Sequence, residues 1–302
     1  MFLLDERHEL AIGNETYEEA LKVYLWDAFM LDLADGDITS EIFPDKPGKK
    51  IRANIVAKES GILAGMQEVQ WFLKRLKLNY IDGRKDGALL KKGDIVLIVE
   101  GRADTILSAE RTILNLIQRM SGVATKTRRM RVKLPPGIEL LCTRKTLWGL
   151  LDKRAVVVGG GGTHRLRLSD AILVKENHIA LSSNFGKSLK RVLKKRRRAR
   201  FIEIELESIN QVHEFLMHYE PLKKKLNVQD SVIVMLDNFT PSMIKKVLEP
   251  LKKAGAIIEL SGGINESNIS RYSIAGVSAI SSGVITTKAH NLDISLEVVV
   301  DK

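Results

Sequence analysis

The chain has 302 residues, 44% of them apolar, a formal net charge of +11 and one cysteine. That length and apolar content support a large core in one or two domains, and a lone cysteine excludes a disulfide framework and a cysteine-rich zinc site. No apolar run reaches the roughly 18 residues of a membrane span, and the start MFLLDERHEL does not read as a signal peptide, so a cytoplasmic protein without membrane contact is expected.

From Tyr17 to Leu33, the residues Leu21, Tyr24, Leu25, Ala28 and Phe29 follow helical spacing. This helix runs into Asp32, Asp35, Gly36 and Asp37, whose spacing suits a turn and a cap rather than a calcium loop. Ile51–Val56 alternates as a half-buried strand, and a helix follows over Met66–Leu76. The turn pairs Asp86-Gly87 and Gly93-Asp94 set short hairpin strands between Gly83 and Gly101. Lys58 and Lys92 read as turn lysines. A long helix comes next, from Ser108 to about Lys133, with Ser108 as its expected N-cap. That start puts Arg111 in the first turn, where the helix dipole disfavours a cation; its position fits anion binding and a plain exposed surface arginine equally well. Pro135-Pro136-Gly137 stops the helix. An α+β domain over 1–117 and a second domain over 118–288 are predicted.

Beyond the prolines one unit repeats. Ile138–Cys142, Ala171–Val174, Phe201–Ile204, Val232–Leu236, Ile257–Leu260 and Val277–Ile280 are short, largely apolar runs of the kind found in buried parallel strands, and Ala155–Val158 (AVVV) reads as one more. Segments of helical spacing, Asn184–Arg198, Ile209–Tyr219, Pro241–Ala254 and Glu266–Ala275, separate most of them. Strand, polar end and helix, repeated, describe an α/β fold: a barrel with its site at the carboxyl ends of the strands. Six or seven strands in place of eight predict an incomplete, open α/β barrel.

Arg144, Lys145, His164, Arg165 and Lys175 fall at or near these strand ends. Cations that converge on one point call for a strongly anionic ligand between them. The glycine run Gly159–Gly162 fits neither GxGxxG nor GxxxxGK[ST]. Ser261-Gly262-Gly263 and Ser281-Ser282-Gly283, small residues with free backbone N–H groups at adjacent strand ends, are the better phosphate seats. Glu205 and Asp237 add carboxylates suited to a metal or to a developing positive charge. Of Glu203 and Glu205, only Glu205 is expected to face the site. Cys142, inside a strand, is expected to pack rather than react. The basic run Lys190–Arg200 has no interleaved aromatic residues for base stacking and reads as a solvated helix face.

Taken together, TRKT at Thr143–Thr146, GGG..HR..L at Gly160–Leu168, D.(I/V)L.K.NH at Asp170–His178, E.E at Glu203–Glu205, MLDN at Met235–Asn238, SGGI at Ser261–Ile264 and LDISL at Leu292–Leu296 resemble the quinolinate phosphoribosyltransferase family, the carboxylating nicotinate-nucleotide pyrophosphorylases. GDITS at Gly36–Ser40, ESGILAG at Glu59–Gly65 and AERT.LN at Ala109–Asn115 extend the resemblance, in order, nearly end to end. It implies an open α/β barrel joined to an N-terminal α+β sandwich domain that the tail 289–302 completes. It also implies a homodimer whose sites each borrow an arginine, here Arg111, from the partner. The implied reaction joins quinolinate to phosphoribosyl pyrophosphate with Mg²⁺, giving nicotinate mononucleotide, pyrophosphate and CO₂. Arg111, Arg144, His164, Arg165 and Lys175 would hold the two carboxylates, and Lys145 would lie between carboxylate and pyrophosphate. Glu205 and Asp237 would face the ribose and its metal. Ser261, Gly262, Gly263, Ser282 and Gly283 would take the 5′-phosphate.

The chain departs from the family pattern at Cys142, at Leu147-Trp148, at Arg167 and at Thr287, where a histidine is usual; His290 is a possible substitute for it or a surface residue. His178 and Asn177 are as compatible with a structural role as with a ligand contact. Rival readings are a paralogous phosphoribosyltransferase-like protein of the kind associated with molybdenum-transport operons, and a non-catalytic polyanion binder using Lys190–Arg200. Lys175 with Asn177-His178 favours the quinolinate enzyme.

Overall fold

A computed structural model describes residues 3–43, 48–182, 184–195, 199–226 and 232–299. Its strands are β1 (Lys50–Ala57), β2 (Gly61–Ile62), β3 (Asn79–Gly83), β4 (Leu89–Leu90), β5 (Ile95–Arg102), β6 (Glu139–Cys142), β7 (Ile172–Val174), β8 (Ile202–Leu206), β9 (Ile233–Asp237), β10 (Ile257–Ser261), β11 (Ala279–Ser282) and β12 (Ile294–Val299). The chain forms two compact units, each discontinuous in sequence. One comprises Arg7–Arg128, Lys145–Gly160 and Ile285–Lys302; the other comprises Met1–Glu6, Arg129–Arg144 and Gly161–Val284.

In the first unit, β12, β1, β5 and β3 form an antiparallel sheet in that order, and β2 pairs with β4. The C-terminal strand β12 is registered against β1 from Ala57↔Ile294 to Arg52↔Val299. Helix Met66–Arg75 buries Val69, Phe72 and Leu73. The Phe72 ring meets Phe29 edge-on, with centroids 5.4 Å apart. Two expectations fail here. The long helix spans Ala103–Arg131, so it starts ahead of Ser108, which caps nothing and donates its hydroxyl to Asp37 at 2.9 Å. Arg111 therefore lies more than two turns inside the helix, beyond the reach of the terminal dipole. The run AVVV is no strand either: it ends the helix Gly149–Val158, in which Leu151, Asp152, Ala155 and Val156 turn inward at helical spacing. A short apolar run carries no period of its own to tell strand from helix.

The second unit is built on a six-stranded sheet, ordered β6-β11-β10-β9-β8-β7, parallel throughout. Among the described residues β6 and β7 do not pair with each other, so the barrel is open. Helix Ile209–Leu226 packs between Phe185–Lys195 and Pro241–Lys253, as sequential strand–helix units require. The helix expected over Glu266–Ala275 reduces to one tight turn, Ile269–Tyr272. Asn265 and Asn268 divert the backbone there, their side chains accepting the N–H of Ser267 at 2.9 Å and of Asn265 at 2.8 Å. Arg196, Arg197 and Arg198 of the basic run lie outside the described residues.

Candidate active site

Side chains alternate along a strand, and the register across this sheet sorts them into layers. An apolar cluster of Ala171, Phe201, Ile233 and Ala279 lies at the amino-terminal ends of β7, β8, β9 and β11, joined by Leu4 and by Leu141 of β6. Two residues further along β8 comes Glu203, and two beyond that Glu205. Residues at i and i+2 share a face, so the expectation that only one of these glutamates points inward is wrong. Depth separates them, not side.

The middle layer is ionic and buried. His164 Nε2 lies 3.0 Å from Glu203 Oε2 and 3.5 Å from Glu259 Oε2. His164 holds a positive φ of 52°, and its Nδ1 accepts the N–H of Arg165 at 2.7 Å. Burial alone would lower the imidazole pKa, but the two carboxylates outweigh it and raise it to about 10. Glu203 is pushed up to about 7, by burial first and then by the charge of Glu259. The cluster thus holds protons that the free groups would release. Glu259 carried no signal in the sequence, because a glutamate inside an apolar run has no partner until the strands are registered.

The upper layer lies at the carboxyl ends. Lys175, directly after β7, forms an ion pair with Glu205 on β8. Arg165, nearly buried, precedes β7 in the chain and donates to the Ala171 carbonyl, just ahead of that strand, at 3.2 Å. Burial and then the neighbouring charge of Arg144 lower its pKa, outweighing the opposing charges of Glu203 and Asp170. Asp237 at the end of β9 is fixed by Asn238, whose Nδ2 donates to it at 2.8 Å. Ligand oxygens of Glu205, Glu207 and Asp237 lie within 4.8 Å of one another. Glu207 is a further candidate, which the strand pattern hid because it falls one residue past β8.

At the phosphate seats the serine side chain turns away to its own chain. Ser282 is buried and its hydroxyl donates to the Ile264 carbonyl at 2.7 Å, which leaves backbone groups to meet a ligand. Gly262 and Gly263 both have positive φ, and a Cβ on Gly262 would come within 2.5 Å of the Asn238 nitrogen. His178 accepts the Lys175 N–H on Nδ1 at 3.0 Å, a local structural role. Cys142 is fully buried. In the other unit Lys145 is exposed, as are Thr287 and His290. Arg111 is exposed as well and borders a recess of about 320 Å³ that it shares with Tyr24, Asn115 and Trp148.

Residues 37–121 match the family model of the quinolinate phosphoribosyl transferase N-terminal domain, and residues 123–297 that of its C-terminal domain. The chain belongs to the quinolinate phosphoribosyl transferase family. It is 38% identical over 276 residues to a probable nicotinate-nucleotide pyrophosphorylase [carboxylating] of Methanothermobacter thermautotrophicus, covering 88% of this chain and 95% of that protein. Solved structures agree. NadC from Streptococcus pyogenes is 30% identical with a TM-score of 0.79, covering 95% of this chain and 99% of that one. The nicotinate-nucleotide pyrophosphorylase from Francisella tularensis is 28% identical with a TM-score of 0.81, covering 93% and 96%. An open parallel-sheet barrel and an antiparallel-sheet domain are both present in this member. No described helix is long and apolar enough to cross a membrane.

Proposed function

We propose that this family member joins quinolinate to phosphoribosyl pyrophosphate and releases CO₂, giving nicotinate mononucleotide and pyrophosphate for NAD biosynthesis. One observation carries the reading: paired cations, Arg144 just past β6 and Arg165 close enough to feel its charge, and a carboxylate group, Glu205 with Asp237, at the carboxyl ends of β8 and β9 belong to one parallel-sheet unit. A dicarboxylate acceptor and a pyrophosphate donor need those two chemistries side by side.

Arg144 and Arg165 offer planar forks to the carboxylates, and Lys175 a compact charge. His164 acts behind them through the Arg165 N–H. Lys145 faces the pyrophosphate side, and Arg111 reaches the site of a partner copy in a cytoplasmic homodimer. As pyrophosphate leaves, positive charge grows on the ribose, and Glu205 stabilises it. The pyridine nitrogen then closes the glycosidic bond and becomes cationic. Its positive charge stabilises the electron pair left on the adjacent ring carbon when the carboxylate departs as CO₂, and a proton then bonds to that carbon. No protein nucleophile is needed.

Glu205 and Asp237 fit Mg²⁺, which takes one or two carboxylates and fills its remaining positions with water and substrate oxygens. Bound there, the ion would neutralise the leaving pyrophosphate.

The test is release of CO₂ and nicotinate mononucleotide from quinolinate, phosphoribosyl pyrophosphate and Mg²⁺, with nicotinate alone as the control acceptor. Equal amounts of both products support the reading. Binding of phosphoribosyl pyrophosphate without turnover would mean another acid, with Trp148, Arg167 and Thr287 the places where specificity moved.

A further inference from the structure

Lys145 is exposed, yet the backbone that carries it is held by a closed circuit of buried polar groups. Asp152, in the first turn of helix Gly149–Val158 and fully buried, accepts on Oδ2 the N–H of Leu147 at 2.9 Å and of Trp148 at 3.2 Å. The same carboxylate takes a bidentate pair from Arg119, with Nε and Nη2 each at 2.9 Å. Arg119 Nη2 also donates to the Thr286 carbonyl at 2.7 Å. Thr286 closes the circuit, its hydroxyl donating to the Lys145 carbonyl at 2.7 Å. Asp152 and Thr286 show no exposure, and Arg119 only 6%.

A buried ion pair gains little over apolar packing of the same volume, so stability alone is a weak reason for this one. What the circuit delivers is position. A lysine side chain turns about four bonds, and its ammonium can be aimed only if the backbone beneath it is fixed; a misplacement of about 1 Å in a reacting group costs on the order of 100-fold in rate. Both ends of the segment are fixed, Lys145 by its carbonyl and Leu147-Trp148 by their N–H groups.

We propose that Arg119, Asp152 and Thr286 are positioning residues that preset Lys145 for the pyrophosphate of the donor substrate. The inference rests on the reading of Lys145 given above and adds to it the machinery that aims it. The circuit aims Lys145 at the pyrophosphate ester more than at the dicarboxylate it also borders, so its disturbance acts far more on the donor than on the acceptor.

Removing Asp152 would strand the Arg119 charge and could prevent folding, so the informative position is Thr286. Thr286→Val keeps the side-chain shape and deletes the hydroxyl that bonds the Lys145 carbonyl; Thr286→Ser keeps the hydroxyl. Thr286→Val is expected to lower kcat/KM for phosphoribosyl pyrophosphate on the order of 10-fold. KM for quinolinate should stay within about twofold, and Thr286→Ser should restore the loss. Titration calorimetry with phosphoribosyl pyrophosphate alone should give the same ranking. In a Lys145→Ala background, Thr286→Val should cost nothing further.

Equal losses for both substrates, a serine variant no better than the valine, or a loss that adds to that of Lys145→Ala would each overturn the proposal. A wild-type chain that binds phosphoribosyl pyrophosphate but does not turn over quinolinate would sink the acceptor assignment alone, with calorimetry still deciding the circuit. A chain that binds no phosphoribosyl pyrophosphate overturns both.

Discussion

Lys175 and Glu205 form an ion pair across the carboxyl ends of β7 and β8, with the lysine side chain 45% exposed and the glutamate 9%. A carboxylate substrate approaching Lys175 must therefore share it with Glu205. Lys175→Ala is expected to raise the quinolinate KM and lower turnover by roughly 100-fold or more, as removal of a group acting on the reacting atoms does. Glu205→Gln should separate the two effects: it frees Lys175, so quinolinate KM holds or falls, while kcat falls because the charge facing the ribose is gone. Steady-state kinetics of both variants decide this, and a KM that rises in both would count against it.

Metal dependence should map to the other half of the rim. The oxygens of Glu205, Glu207 and Asp237 lie together, and magnesium draws on one or two such ligands beside substrate phosphates. Chelation should abolish turnover and added Mg²⁺ restore it. Asp237→Asn should raise the Mg²⁺ concentration for half-maximal activity on the order of 10-fold, since each lost charge weakens a hard cation site. A Mg²⁺ titration that is the same for Asp237→Asn and wild type would remove Asp237 from the metal.

The buried cluster makes a pH prediction about stability. His164 is raised from 6.5 to about 10 and Glu203 from 4.5 to about 7, so the native state binds more protons than the unfolded chain across that range. Stability contributed by the raised histidine is complete below its unfolded value and is lost as pH rises through its folded one; the raised glutamate acts in the same direction. Urea midpoints should thus fall as pH rises from about 5 to about 10. The double variant Glu203→Gln, Glu259→Gln removes both partner charges and should flatten that slope. Parallel curves for variant and wild type would place the linkage elsewhere.

A second buried carboxylate offers an independent check. Glu68 accepts the Tyr17 hydroxyl at 2.6 Å, and its pKa is raised from 4.5, by burial first and then by the charge of Asp86. A raised acid holds its proton in the native state, so stability falls as pH climbs above 4.5. Glu68→Gln keeps an acceptor for Tyr17 without a charge to bury, and its advantage over wild type should grow between pH 5 and pH 8, by denaturant titration at about those limits. An advantage that is constant with pH would mean Glu68 stays ionised.

How much of this was legible in the chain differs by element, for physical reasons. The six parallel strands announced themselves because each apolar run is cut off by polar residues at its carboxyl end, and that boundary also names Lys175, Glu205 and Asp237. AVVV misled because four apolar residues fit either period, and only the upstream Leu151 and Asp152 reveal the helix. Ser108 looked like a cap but sits within the helix, after Asp104 has already taken the Thr105 N–H at 2.6 Å. Glu259, Arg119 and Asp152 were invisible as a matter of principle. Their meaning depends on partners 33 residues or more away along the chain, such as Arg119 with Asp152, and no local pattern encodes such a pairing.

The dense positive run at Lys190–Arg200 supplies the last test, because it is the feature that most favours a polyanion-binding protein over an enzyme. Most of its described part belongs to helix Phe185–Lys195, which buries Leu189 and Leu193 and turns Lys190, Arg191 and Lys194 outward, while Arg200, beyond that helix, forms an ion pair with Glu6. Exposed charges on a helix face act through screened fields and contribute little at physiological salt. Arg144, by contrast, is close enough to Arg165 to lower its pKa. Arg144→Ala should therefore abolish turnover, while neutralising Arg196, Arg197 and Arg198 together should leave kcat and both KM values within about twofold. The opposite ranking would mean that the basic run, and not the barrel rim, receives the anion.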